Sequence, residues 1–199
     1  MSLRNNHHIA QEWPQTATMD YRLSDTVALL SRTPHALDAL LRDLPDLWTQ
    51  RNEGDGTWNV SEVVAHLIYG DHVDWIPRAR IILASGETLP FQPFDRLGHV
   101  AEARGKSLNE LLDTFAAVRA DRLAELGALS LTAEQLELRG LHPSLGVVTL
   151  AELLAAWVTH DLTHLHQITR VMAHQYREAT GPFSRFLGVL QCHGHSSNA

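Results

Sequence analysis

The chain has 199 residues, 44% of them hydrophobic, which is enough to bury one substantial core and predicts a single domain. A formal net charge of -7 argues against nucleic acid, whose phosphates attract basic surfaces, and equally against an anionic membrane surface. The one cysteine, Cys192, has no internal disulfide partner, and no apolar run approaches the ~20 residues that cross a bilayer, so a cytoplasmic protein is expected.

Residues 1–19 are expected to be a loose leader with a turn at Trp13-Pro14, residues 20–191 a helical bundle, and residues 192–199 a flexible tail. A first helical region is predicted from Tyr21 to Trp48, interrupted at Thr33-Pro34, where Thr33 suits the N-cap and Pro34 the first helical position. Leu37, Leu40, Leu41, Leu44 and Leu47 carry its 3.6-residue period. A second helix starts with Asn59 as cap and Glu62 three residues on, the capping-box spacing, and runs to about Ala84. Pro77 is expected to kink or divide it.

Residues 85–106 contain Gly86, Pro90, Pro93, Gly98 and Gly105 and read as a long connection of the kind that often carries function. A capping box of Ser107 and Glu110 opens a third helix, marked by Leu108, Leu111, Leu112, Phe115, Val118 and Leu123 and reaching about Leu126. A second connection, residues 127–148, shows no convincing strand pair. Thr149 and Glu152 open a fourth helix to about Tyr176, and Gly181-Pro182 precedes a short C-terminal helix, Phe183 to Leu190. The fold class is all-α: a four-helix bundle with long crossover connections.

The fourth helix holds the most informative stretch, Trp157-Val158-Thr159-His160-Asp161-Leu162-Thr163-His164-Leu165-His166-Gln167. His160 and His164 lie about one turn apart on one face, near an apolar stripe of Leu150, Leu153, Leu154, Trp157, Ile168 and Val171. Two imidazoles aimed at a core need a partner, and a shared metal ion is a good one; hydrogen-bonded histidines are the alternative. His66 on the second helix is the best candidate for a third ligand, although it sits on the flank of that helix's stripe. His72 and His166 compete with it, but His166 points about 160° away from His164.

Asn59-Val60-Ser61-Glu62-Val63-Val64-Ala65-His66-Leu67, followed far downstream by His160-Asp161-Leu162-Thr163-His164-Leu165-His166-Gln167-Ile168, resembles the DinB/YfiT-like superfamily. The resemblance covers roughly residues 21–190. It implies a four-helix bundle in which His66, His160 and His164 hold a divalent ion. Three neutral imidazoles leave the ion's charge uncompensated and a coordination position open, as in catalytic sites; zinc and nickel both suit imidazole.

Gln167 shares the edge of the helix with His160 and can orient a bound water or substrate, with plain packing as the alternative. Asp161 falls on the apolar stripe, where it can accept a ligand's N–H or act as base; a salt bridge to an arginine on another helix is the favoured alternative. Pro93-Phe94-Asp95-Arg96 can fold over the metal, Asp95 or Arg96 then meeting a polar substrate, against a plain surface turn. Asp161 stands where a zinc metalloprotease has the Glu of HExxH, and no GxSxG, P-loop or dinucleotide fingerprint is present. Two function classes remain. One is a metal-dependent enzyme, a low-molecular-weight-thiol transferase or hydrolase acting on a small molecule. The other is a non-catalytic metal-binding or stress-associated bundle protein, homodimer included.

Overall fold

The computed structural model describes residues 21–192; the expected leader, its Trp13-Pro14 turn and all but the first residue of the expected tail lie outside them. The first bundle position is filled by two short helices, α1 (Leu23–Leu30) and α2 (Thr33–Leu41), followed by the single turn α3 (Asp46–Thr49). Thr33 is the first helical residue of α2 and Pro34 the second, one place later than the N-cap reading, because Arg32 takes the cap. The Thr33 hydroxyl donates instead to Asp161 at 2.6 Å.

The second position is α4 (Val60–Val73) followed by α5 (Trp75–Ser85). The division falls at Asp74, not at Pro77. A proline has no N–H to offer the preceding turn, so the chain breaks three residues early and Pro77 sits in the first turn of α5, where no such bond is needed. The Asn59–Glu62 capping box forms as expected, with Glu62 N 2.9 Å from Asn59 Oδ1 and Asn59 N 2.8 Å from a Glu62 carboxylate oxygen.

The first long connection contains a helix of its own, α6 (Gly98–Ala103), lying on α4. Gly98 permits that approach: a Cβ there would fall 2.1 Å from the Tyr69 ring. The third bundle helix, α7 (Leu108–Ala128), and the fourth, α9 (Leu150–His174), both open with their capping boxes; the single turn α8 (Ala133–Leu136) lies between them.

The second connection corrects the reading that it holds no strands. β1 (Arg139–His142) and β2 (Gly146–Thr149) form an antiparallel hairpin, paired from Arg139–Thr149 to His142–Gly146. The first long connection joins it, Phe91 N donating to Leu141 O at 2.9 Å. The expected C-terminal helix is two 3-10 turns, Gly181–Phe186 and Gly188–Leu190.

Two apolar clusters fill the bundle. One joins α2, α4, α7 and the end of α9 through Leu37, Val64, Leu67, Leu111, Phe115 and Ile168. The other joins α1, α5 and the start of α9 through Leu30, Ile76, Ala79, Leu154 and Trp157. No helix among the described residues is long and apolar enough to cross a membrane.

Candidate metal centre

His66 lies in the second turn of α4, and His160 and His164 lie one turn apart in the middle of α9. The flank position of His66 on its stripe carries no penalty because α4 has no solvent side at that level. Residues from Val63 through Ile68 are all buried, with α6 and α7 covering faces that an isolated amphipathic helix would expose. Gly70, one turn on, keeps the neighbouring space open: its missing side chain faces His160 Cε1 at 4.0 Å and Trp75 Nε1 at 3.6 Å.

The three rings converge by their Nε2 edges. His160 Nε2 stands 3.1 Å from His66 Nε2 and 3.1 Å from His164 Nε2, and the three donor atoms all lie within 4.8 Å of one another. Nitrogens bound to one ion at about 2.0–2.1 Å stand about 2.9 Å apart at a right angle and about 3.4 Å apart at the tetrahedral angle. The observed spacing falls between these values.

Proton counting points the same way. His164 Nδ1 lies 2.7 Å from Gln167 Oε1, an acceptor, so it carries the proton of that ring and turns the Nε2 lone pair toward the centre. Burial and the neighbouring rings keep the cluster neutral. Burial, then His164 and His99, pushes His66 down to about 3. Burial, then His164 and His66, holds His160 well below its ordinary value. His164 is lowered by burial, against the opposing hydrogen bond to Gln167. The single proton on His160 cannot satisfy both Nε2 neighbours at once. Meanwhile Nδ1 of His66 and Nδ1 of His160 have no hydrogen-bond partner among the described residues. Converging lone pairs with too few protons between them are the donor set that a divalent cation completes. His72 pairs with Glu102 on the exposed side of α4, and His166 is exposed on α9, so neither competitor joins the cluster.

Two rings of the triad, His66 and His160, line a cavity of about 350 Å³ bounded also by Asp74, Arg78, Arg96 and the hairpin turn His142–Ser144; His164 is not part of its lining. The Pro93–Arg96 segment does fold over the histidines: Phe94 meets His66 edge-on at 5.5 Å and Arg96 lines the cavity. Asp95 does not join them; its carboxylate accepts from Leu97 N and shapes the turn. On the other side, the Trp58 ring lies against His66 at 4.9 Å and against the buried His99 at 4.4 Å.

Asp161 takes the arginine-paired arrangement. Its carboxylate receives Arg119 at 2.5 and 3.0 Å, in addition to the Thr33 hydroxyl. Arg119 also grips Asp71 at 2.7 and 3.1 Å, and Trp157 Nε1 donates to Asp71 at 3.1 Å. All three charged side chains are at most 2% exposed. Sequence reasoning did not name Arg119, although its place in the row Leu108, Leu112, Phe115, Arg119, Leu126 of α7 marks it as inward. It also passed over Arg78. The Asp74–Arg78 ion pair has the i,i+4 spacing that carries such pairs on a helix. Burial raises Asp74 to about 6, against the opposing charge of Arg78.

Residues 29–168 match the family model described as the DinB superfamily. Among solved structures the chain is similar to YfiT from Bacillus subtilis, described as a probable metal-dependent hydrolase with an unusual four-helix bundle topology. That likeness has a TM-score of 0.64 at 21% identity and covers 86% of this chain and 95% of that chain. Comparison with curated proteins finds no match.

Proposed function

The chain belongs to the DinB superfamily, and from that premise we propose that it is a metal-dependent hydrolase of a small molecule, with His66, His160 and His164 as the ligands of a divalent ion such as zinc or nickel. The observation that carries this reading is the convergence of three Nε2 atoms, with two of the rings, His66 and His160, lining an open cavity. The description of YfiT as a probable metal-dependent hydrolase supports the hydrolytic branch. When bound, the ion supplies Lewis acidity and a water or thiol acidified toward neutral pH.

The protein's own groups have separable tasks. Gln167 fixes the tautomer of His164 by accepting its Nδ1–H. Phe94 and Trp58 wall His66 from solvent, which strengthens electrostatic interactions at the site. Asp74, raised to about 6, is the cavity-wall carboxyl able to exchange a proton close to neutral pH. Arg96 brings positive charge to a polar substrate group in the same cavity, where Arg78 is paired with Asp74.

The test is a panel of small esters and amides assayed before and after chelation, with zinc or nickel added back. Activity is expected to vanish with chelator and return with metal. His160→Ala should lower metal affinity by more than the roughly 10–100-fold that loss of an outer partner costs, measured by calorimetry. Its helical circular dichroism should be unchanged, since the helices are set by capping boxes and apolar stripes. Turnover that survives chelation would overturn the reading. Turnover seen only when a low-molecular-weight thiol is supplied would move it from hydrolysis to thiol transfer at the same centre.

A further inference from the structure

A second cavity of about 520 Å³ lies beside the metal cavity, between the hairpin and the first half of α9. The two share three lining residues, Asp74, Arg78 and His142, so they meet at one polar joint. Their walls differ in kind. Beyond the joint the second cavity is bounded by Trp75, Phe91, Val147, Val148, Leu153 and Ala156. The metal side presents imidazoles, Arg96 and Ser144. Each volume is within the range of sites for small organic ligands.

Charge is also graded along this cleft. Asp74 and Arg78 neutralise one another at the joint. Glu152, at the apolar end, has its carboxylate engaged by Thr149 N in the α9 capping box. Arg96 has no carboxylate partner among the described residues, so the metal end carries the excess positive charge even before an ion is added. An anionic or strongly polarised oxygen belongs there, and an apolar group belongs at the other end.

We propose that the substrates are esters or amides of an apolar-armed carboxylic acid, with the alkyl or aryl arm seated between the hairpin and α9 and the acyl carbon at the histidine triad. This rests on the hydrolytic reading above and names its substrate class. In the reaction the oxygen of water bonds to the acyl carbon, the C–O or C–N bond breaks, and one proton of that water leaves with the alcohol or amine, while the other is released to solvent from an ester or taken up by the departing amine, as ammonium, from an amide. The product is the carboxylate, whose head faces Arg96 and the metal end while the arm remains in the apolar cavity. The hairpin is thus a specificity wall, since Val147 and Val148 form one side of the arm's seat and His142 reaches the joint.

Straight-chain carboxylates from acetate to octanoate, titrated calorimetrically into the zinc-loaded protein, test this directly. Each methylene taken out of water by the cavity should tighten binding about fourfold, until the cavity is filled. Ala156→Phe on the helix side and Val147→Trp on the strand side should each abolish the gain with chain length and leave acetate binding and zinc affinity unchanged. Both positions are exposed, so neither larger ring has to enter the close-packed core, and two separate walls keep one misfolded variant from deciding the matter. Hexylamine, with a similar arm and the opposite charge, should bind at least tenfold more weakly than hexanoate. A flat chain-length series, or one unchanged in both variants, overturns the inference while zinc binding still stands. Equal binding of hexylamine overturns the choice of head group. If wild type binds no zinc, the metal reading fails separately, and the same series on metal-free protein decides whether the cavity seats the arm.

Discussion

Two buried polar clusters sit side by side on the same pair of helices, and they are built to opposite rules. Asp71 and Asp161 lie on α4 and α9 around the Arg119 guanidinium, which also donates to Leu30 O at 3.1 Å. Every charged group there has partners of opposite sign. Burial pulls Arg119 down, yet the hydrogen bonds and charges of Asp161 and Asp71 together outweigh it and hold the guanidinium above its ordinary value. His66, His160 and His164 lie on the same two helices and have no carboxylate hydrogen-bond partner among the described residues. Their rings are held neutral, their lone pairs converge, and two Nδ1 atoms lack partners among the described residues. A buried cluster that satisfies itself is architecture; one that leaves donors converging on an open cavity is a site.

The largest expected effect separates the clusters by acid. His66 has a folded pKa of about 3 against an ordinary 6.5, so the unfolded chain takes the proton first. The stability this represents is fully present above 6.5 and is lost as pH falls through about 3. The scale is on the order of 5 kcal/mol for His66 alone, with His160 and His164 acting in the same direction. Asp71 and Asp74 act oppositely, since burial raises both carboxyls. The stability that Asp74 contributes is full below 3.8 and lost as pH rises through about 6. Urea midpoints of the chelated protein should therefore fall from pH 7 toward pH 4, and Asp74→Asn should steepen that fall. Midpoints that do not change over this range would show that the histidines are not held neutral.

The arginine cluster should break by mutation. Arg119→Met leaves two buried carboxylates without a cation, a change that costs about 3–5 kcal/mol. For a chain of this size that lowers the melting temperature by roughly 6–20 °C. Adding Asp71→Asn and Asp161→Asn should recover much of the loss, because the unpaired charges are then gone. A single-variant loss below about 1 kcal/mol would mean the cluster is not the closed unit its geometry describes. Thermal melts at pH 7 decide it.

The same contrast explains what could be read from the sequence. Capping boxes at Asn59, Ser107 and Thr149 were legible because each is a local pairing of a side chain with backbone three residues away. The histidine pair on α9 was legible because four residues make one turn; His66 stood out as the best third candidate on the second helix, but its flank position left it open until resemblance to a family singled it out, because its burial depends on helices elsewhere in the chain. The hairpin escaped because its strands are four residues each and their burial alternates poorly. Helix α6 escaped because Gly98 reads as a loop residue, whereas here it admits the Tyr69 ring against a helix. Arg119 escaped because nothing in one helix announces that two carboxylates on two others will surround it. The joint residues Arg78, on α5, and His142, at the end of β1, are far apart in the chain, and only the tertiary fold brings them to one cleft.

The smallest predicted effect tests whether the site's polarity is set from outside the three rings. Gln167 Oε1 accepts from His164 Nδ1, and that bond makes the Nε2 lone pair face the centre. Gln167→Leu keeps the bulk of the side chain and removes the acceptor. Zinc affinity should fall about 10–100-fold, the usual cost of losing an outer hydrogen-bond partner to a ligating histidine. Gln167→Glu retains an acceptor at the same reach and adds negative charge, so its zinc affinity should equal or exceed that of wild type. Both variants should keep the helical circular dichroism and the Arg119 contribution to stability, since that cluster is closed on itself. Calorimetric titration of zinc into the three proteins gives the comparison. Wild-type affinity in Gln167→Leu would mean that packing around His164, and not the amide, fixes the ring, and the division between a self-satisfied cluster and a tuned site would then have to be drawn without Gln167.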